Sequence, residues 1–278
     1  MRFGRQRGAG KTHHSTSRGR EAQNPAAKKN LGTESPLRLE SLPPQKMSGR
    51  MTEPERKFDG VRVLIFDLDG TLIDSKLDLA LAVNAAREHM SLGPLPQEQI
   101  FGYVGHGAPM LIRRALGPGA AEADVDRALK FFLDYYRAHM LDNTRPYEGV
   151  REGLSLLAGF SMAVLTNKPE RFSRAILEGL ELAQFFRYVY GGNSFERKKP
   201  DPQGMEVLLR DFGAAPREAM IVGDSEIDIQ TARNAGTWAC AVTYGLGSDR
   251  LAEYPPDLLL GSLTELPAHL NAARRASG

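Results

Sequence analysis

Asp67 and Asp69 stand two residues apart at the end of a short apolar run, Val61-Arg62-Val63-Leu64-Ile65-Phe66, and Gly70 and Thr71 follow them. In extended chain, residues i and i+2 point to the same side. Two carboxylates so placed repel, and they need a cation or a shared proton. The plainer alternative is a turn, because Asp-Gly-Thr is common turn chemistry. Three further positions hold reactive groups in similar places. Thr166 follows Ala163-Val164-Leu165, where its hydroxyl suits a ligand or, equally, a turn or helix cap. Lys199 lies in Arg197-Lys198-Lys199-Pro200, a loop before a helix, which taken alone is a solvated basic run. Asp224 follows Met220-Ile221-Val222-Gly223. Asp228, four residues on, shares its face of a helix start and also suits helix capping. The order is Asp-x-Asp-x-Thr, a Thr, a Lys and Gly-Asp-x-x-x-Asp, each at or just past the end of an inferred strand. Four unrelated turns would not need it.

The elements that must position these residues follow from the apolar pattern. Ser161–Leu165, Ala219–Val222, Trp238–Val242 and, weakly, Asp257–Leu260 repeat the character of Val61–Phe66 and read as buried parallel strands. Helical stretches separate them. Pro169–Leu180 opens with Pro and Glu, which suit a first turn. A second helix opens at Asp201-Pro202 and closes at Gly213. A third starts at the capping-box pattern Ser225-Glu226-Ile227-Asp228 and ends at Gly236. Strand alternating with helix predicts an α/β fold, a doubly wound parallel sheet with a Rossmann-like core. Residues 77–145 break the alternation with helical patterns alone. Ser75-Lys76-Leu77-Asp78 is a candidate cap for the first of these helices, and Ala121–Leu141 a longer one. An all-helical insertion after the first strand reads as a cap over the sheet's C-terminal edge, where open α/β sheets bind ligands. The expected division is a disordered basic tail over 1–57, a core over 58–76 and 146–278, and a helical cap over 77–145.

Composition narrows the class. The chain has 278 residues, 41% hydrophobic and 25% charged, which excludes a mostly disordered or collagen-like protein. Residues 1–50 hold 11 Lys and Arg against 3 Asp and Glu, leaving 25 against 31 in the rest. The net charge of +2 is therefore the sum of a basic tail and an acidic body. The tail has no Val, Ile, Trp, Tyr or Cys through Arg56. It reads as a disordered extension, or as sequence upstream of a true start at Met47 or Met51. A transit peptide or a nucleic-acid-binding arm are the alternatives, and the lack of interleaved aromatics weighs against the second. Cys240 is the only cysteine, so there is no intrachain disulfide and no cysteine-built zinc site. A reducing, cytoplasmic setting is expected. No apolar run approaches the ~20 residues of a membrane helix, and the N-terminus lacks a secretory apolar stretch.

The ordered motifs resemble those of the haloacid dehalogenase superfamily, and within it the magnesium-dependent phosphatases with a helical cap. The resemblance runs from about Val61 to Leu270. It implies Mg²⁺ held by the carboxylates of Asp67 and Asp224 and by the backbone carbonyl of Asp69. It implies Asp67 as the nucleophile that forms an aspartyl-phosphate, and Asp69 as the acid and base. Thr166 and Lys199 would hold the phosphoryl oxygens, with Thr71 and Asn167 among the substrate contacts, and Asp228 would orient Lys199 or a metal-bound water. Such a site fits phosphoryl transfer, which needs positioning and charge neutralisation above all. Dehalogenating members lack the second carboxylate, since a halide leaves without a proton. Asp69 thus favours phosphate esters.

The substrate must be read from the cap. Tyr103-Val104-Gly105-His106-Gly107-Ala108-Pro109, with the helix from Leu111 to Leu116, resembles the cap loop of phosphoglycolate phosphatases, as do Thr166-Asn167-Lys168-Pro169 and Val242-Thr243-Tyr244-Gly245 in the core. Gly105, His106 and Arg113 are candidate substrate contacts, the last for a carboxylate. From spacing alone the same loop is a plain inter-helix turn. Expected partners are a small phosphate ester and no membrane, with nucleic acid disfavoured and a monomer or homodimer as the assembly. Hydrolysis of 2-phosphoglycolate is the leading reading. Another small ester (a sugar phosphate or pyrophosphate), a phosphomutase, and a nucleic-acid-associated protein using the basic tail are the alternatives.

Overall fold

Val63, Leu64, Ile65 and Phe66 are all fully buried, so the strand they form must lie inside a sheet covered on both faces. The computed structural model describes residues 58–270. The basic tail read over 1–57 lies outside them. In chain order the elements are β1 (Val63–Phe66), β2 (Ile73–Asp74), α1 (Lys76–His89), α2 (Gln97–Phe101), α3 (Ala108–Leu116), α4 (Glu122–His139) and β3 (Arg145–Pro146). Then come α5 (Val150–Leu156), β4 (Ser161–Leu165), α6 (Glu170–Gly179), β5 (Tyr188–Tyr190), α7 (Gln203–Phe212), β6 (Ala219–Gly223), α8 (Glu226–Ala235), β7 (Trp238–Val242), β8 (Leu258–Leu260) and α9 (Leu266–His269).

Six strands form one parallel sheet in the order β5-β4-β1-β6-β7-β8. β1 sits between β4 and β6, with Phe66 level with Val164 and Val222. The residues after these three strands, Asp67, Thr166 and Asp224, therefore share one edge. The two-residue alternation of β1 sorts its side chains between layers. Val63 and Ile65 pack with Met205 and Leu208 of α7 and Ile229 and Ala232 of α8. Leu64 and Phe66 join Val150 and Leu154 of α5 and Phe172 and Ile176 of α6. Helices on both faces make the sheet doubly wound, as the sequence predicts.

The cap is the run of helices α1–α4 between β2 and β3. Leu79, Val83 and Ala86 of α1 are buried in one cluster with Ile112 of α3 and Val125, Phe132 and Tyr136 of α4. β2 and β3 pair antiparallel, Ile73 with Pro146 and Asp74 with Arg145, and so tie together the chain entering and leaving the cap. Neither these strands nor β5 is visible in the sequence, because two or three residues are too few to show alternation. α7 and α8 end at Gly213 and Gly236, both left-handed, as expected.

One expected cap is not formed. The Ser75 side chain caps no backbone amide of α1. Its hydroxyl donates instead to Asp69 Oδ1 at 2.5 Å. Asp78 accepts from the amides of Asn143 and Thr144, from Asn143 Nδ2 and from the Thr144 hydroxyl. The carboxylate thus fastens α1 to the chain leaving α4. At α8, Asp228 Oδ2 accepts from the Ser225 amide at 3.2 Å, the reciprocal half of a capping box.

Candidate active site

The edge of the sheet gathers the charged residues singled out above. Lys199 Nζ lies 2.6 Å from Asp228 Oδ1 and 2.9 Å from Asp67 Oδ1. Asp67, Asp224 and Asp228 each offer an oxygen, all within 4.8 Å of one another. All four side chains are buried. Burial works against the Lys199 ammonium, but Asp228 and then Asp67 outweigh it, and its pKa is held above the usual lysine range. Burial pushes Asp67 up to about 6, against the pull of Lys199 and with some help from Asp228. It pushes Asp224 up to about 8, and the charges of Asp228 and Asp67 add to it. Asp224 is pinned from three sides. Its Oδ2 accepts from the Leu246 and Gly247 amides at 2.7 and 2.9 Å, and its Oδ1 from the Thr71 hydroxyl at 3.2 Å. Gly70, with φ +86°, passes so close that a Cβ there would lie 2.2 Å from Asp224 Oδ2. Any other residue would push this carboxylate aside.

These donors fit a hard divalent cation. Carboxylate oxygens are what Mg²⁺ takes. With three carboxylates and one ammonium ionised, the cluster carries two surplus negative charges. Asp67 Oδ1 is buried and makes no hydrogen bond of good geometry, since its approach to Lys199 is that of an ion pair. The cluster includes Asp228, which the sequence reading has orienting Lys199 or a metal-bound water rather than holding the metal itself.

Asp69 faces another way. Both its oxygens receive Lys168 Nζ, at 2.9 and 3.0 Å, in addition to the Ser75 hydroxyl. Lys168 is buried, and its ammonium sits 4.7 Å from the centre of the Tyr136 ring on cap helix α4. Burial alone would lower its pKa, but Asp69 and Tyr136 reverse this and hold it above the usual range. Sequence reasoning gives Lys168 and Tyr136 no role. Lys168 stands in a stretch already singled out, directly after Thr166 and Asn167, which is the signal available. Tyr136 carries none, because an aromatic four residues from Phe132 reads as core.

The remaining candidates divide. Thr166 is buried beside Asp67 and Asp69 on the wall of a cavity of about 50 Å³. Asn167 lines it too, but its Nδ2 donates to Gly105 O at 2.9 Å and Lys199 O at 3.0 Å. Both partners are carbonyls, so both amide hydrogens are spent linking the cap loop to the core. Its Oδ1 is buried without a hydrogen-bond partner. Thr71 is fully buried and holds Asp224 rather than lining the cavity. Gly105 and His106 line a larger cleft of about 840 Å³ between cap and core, which also reaches Asp67 and Asp224. Burial, then Arg114 and Arg250, keep the His106 pKa below its usual value, Glu226 opposing them. Arg113 borders the same cleft, yet its guanidinium grips Glu122 through two bonds of 2.5 and 2.6 Å.

A family model described as haloacid dehalogenase-like hydrolase matches residues 64–242. The chain is 40% identical over 222 residues to a phosphoglycolate phosphatase of Pseudomonas putida, covering 76% of this chain and 81% of that one. It is 40% identical over 212 residues to a phosphoglycolate phosphatase of Chromobacterium violaceum, covering 74% and 95%. Among solved structures, a protein of Haemophilus somnus described as a predicted phosphoglycolate phosphatase superposes with a TM-score of 0.71 at 30% identity, covering 74% and 96%.

Proposed function

Because the chain belongs to the haloacid dehalogenase-like hydrolases and is a phosphoric monoester hydrolase of phosphoglycolate phosphatase type, we propose that it hydrolyses 2-phosphoglycolate to glycolate and phosphate. The observation that carries the chemistry is the buried group of Asp67, Lys199, Asp224 and Asp228 at one sheet edge, beside the Asp69–Lys168 pair. The substrate itself rests on the relatives described as phosphoglycolate phosphatases.

Asp67, Asp224 and Asp228 are the side chains that would hold Mg²⁺, with Asp228 also fixing Lys199. When bound, the ion supplies positive charge that offsets the repulsion between the Asp67 carboxylate and a phosphate dianion. Asp67 attacks phosphorus, the P–O bond to glycolate breaks, and its electron pair leaves on the glycolate oxygen. Asp69 gives that oxygen its proton. Water then attacks phosphorus and yields its proton to Asp69, while the P–O bond to Asp67 breaks and frees phosphate and the Asp67 carboxylate, which restores the starting form. Lys199 and the Thr166 hydroxyl face the transferring oxygens, where preorganised donors are worth most. Asp228 keeps Lys199 charged and in place. The proposed division is a core over 58–76 and from 146 on, with the cap over 77–145. The β2–β3 pairing supports it, since it closes the two connections.

The test is phosphate release from 2-phosphoglycolate by the wild type and by Asp67→Asn, with and without chelator. Stoichiometric phosphate is expected from the metal-loaded wild type. Turnover should fall to background in the folded variant. Near-wild-type hydrolysis by Asp67→Asn would contradict the mechanism, and failure to release free phosphate would contradict a phosphatase.

A further inference from the structure

Two buried polar groups on the small cavity have no role in the chemistry above. Lys168 is the only cation among the residues lining it. The Tyr136 hydroxyl, beside the Lys168 ammonium, makes no hydrogen bond of good geometry although the residue is 1% exposed. Set beside that ammonium, the hydroxyl can also take a bound polar group. The cavity begins at Asp67 and Asp69 and ends against Leu111, Phe132 and Tyr136 of the cap. Its volume of about 50 Å³ is small, and its lining sets an ammonium and a hydroxyl beside apolar side chains, which suits a short tail ending in a carboxylate.

Charge balance points to what belongs there. An ammonium has three N–H groups, and Asp69 takes two of those of Lys168. One N–H remains, on an ammonium that stands over the Tyr136 ring. Asp67, the other anion on the cavity wall, is already paired with Lys199.

We infer that Lys168, with the Tyr136 hydroxyl, is the carboxylate-binding and specificity-determining element of this site. The ammonium keeps Asp69 on one side and receives the substrate carboxylate in the cavity, with Tyr136 beside it. This inference rests on the reading of 2-phosphoglycolate as substrate.

The test compares kcat/KM for 2-phosphoglycolate and for its uncharged amide, 2-phosphoglycolamide, in wild type, Lys168→Met and Tyr136→Phe. Both rates fall in Lys168→Met, because Asp69 loses its partner. The ratio isolates the tail, since dephosphorylation of Asp67 is common to both substrates and a merely structural role would leave the ratio unmoved. Wild type should prefer the carboxylate. Lys168→Met should reduce that preference about 10–100-fold, the worth of a hydrogen bond to a charged group. Tyr136→Phe removes a hydroxyl without a good hydrogen bond, so it should fold, and should reduce the preference several-fold. If wild type shows no carboxylate preference, the proposed substrate and this inference both fail. If wild type prefers the carboxylate and either folded variant keeps the ratio within twofold, the inference alone is overturned.

Discussion

Lys199 bridges two buried carboxylates, and its removal should be felt in stability as well as in catalysis. Lys199→Met leaves Asp67 and Asp228 facing each other without their cation. Breaking a buried ion pair by deleting one partner costs about 3–5 kcal/mol. Lys199 and Asp228 are buried and the Asp67 side chain is only 12% exposed, so solvent screening offers little discount. For a domain of this size ~1 kcal/mol moves Tm by about 2–4 °C, which gives a fall of roughly 6–20 °C. The same repulsion predicts non-additivity. In the double variant Lys199→Met/Asp228→Asn one of the stranded charges is gone, so it should recover about 1–3 kcal/mol relative to the sum of the singles. Thermal melts of all three variants in chelator would measure this. Added Mg²⁺ should restore part of the loss in Lys199→Met, because that site carries the larger surplus of negative charge. A Tm within 2 °C of wild type for Lys199→Met, or strictly additive singles, would refute the electrostatic account of this cluster.

Two more predictions follow from the site. The carboxyls of Asp224 and Asp67 are raised to about 8 and about 6 in the folded chain, above the unfolded value of 3.8. Between those limits the folded state binds more protons than the unfolded one, so metal-free stability should fall as pH rises from about 4 to 8. Differential scanning fluorimetry in chelator should show this decline, and Mg²⁺ should raise Tm more at pH 8 than at pH 6; a flat profile would contradict the assigned burial of these groups. Arg113→Ala should change kcat/KM for 2-phosphoglycolate less than threefold, since the guanidinium is held by exposed Glu122. A loss above tenfold would show that Arg113 leaves Glu122 for the substrate.

Much of this arrangement is legible in the residues because parallel sheets impose it. Apolar runs such as Val63–Phe66 can only be buried from both sides, and the residues after them then meet at one edge. That is why Asp67, Thr166 and Asp224 are found together although about 157 positions separate the first from the last. Gly213 and Gly236 mark helix ends by the same local logic. The partnerships are not legible. Ser75 and Asp78 stand at capping spacing, yet Ser75 turns to Asp69 and Asp78 to Asn143 and Thr144, because those groups offer buried donors and acceptors that only the folded chain brings close. Asn167 carries an amide suited to a phosphate, and the fold spends it on two carbonyls. Lys168 and Tyr136 meet across the junction of cap and core, which no spacing within either segment encodes.

The measurement that bears most directly on the whole account is kcat/KM across a panel of phosphate esters with Mg²⁺ present. The panel should hold 2-phosphoglycolate, several sugar phosphates and pyrophosphate. The account predicts 2-phosphoglycolate at the top, because Lys168 lines the small cavity beside Asp67 and can meet a carboxylate there. A sugar phosphate or pyrophosphate ranking above it would contradict the assigned substrate.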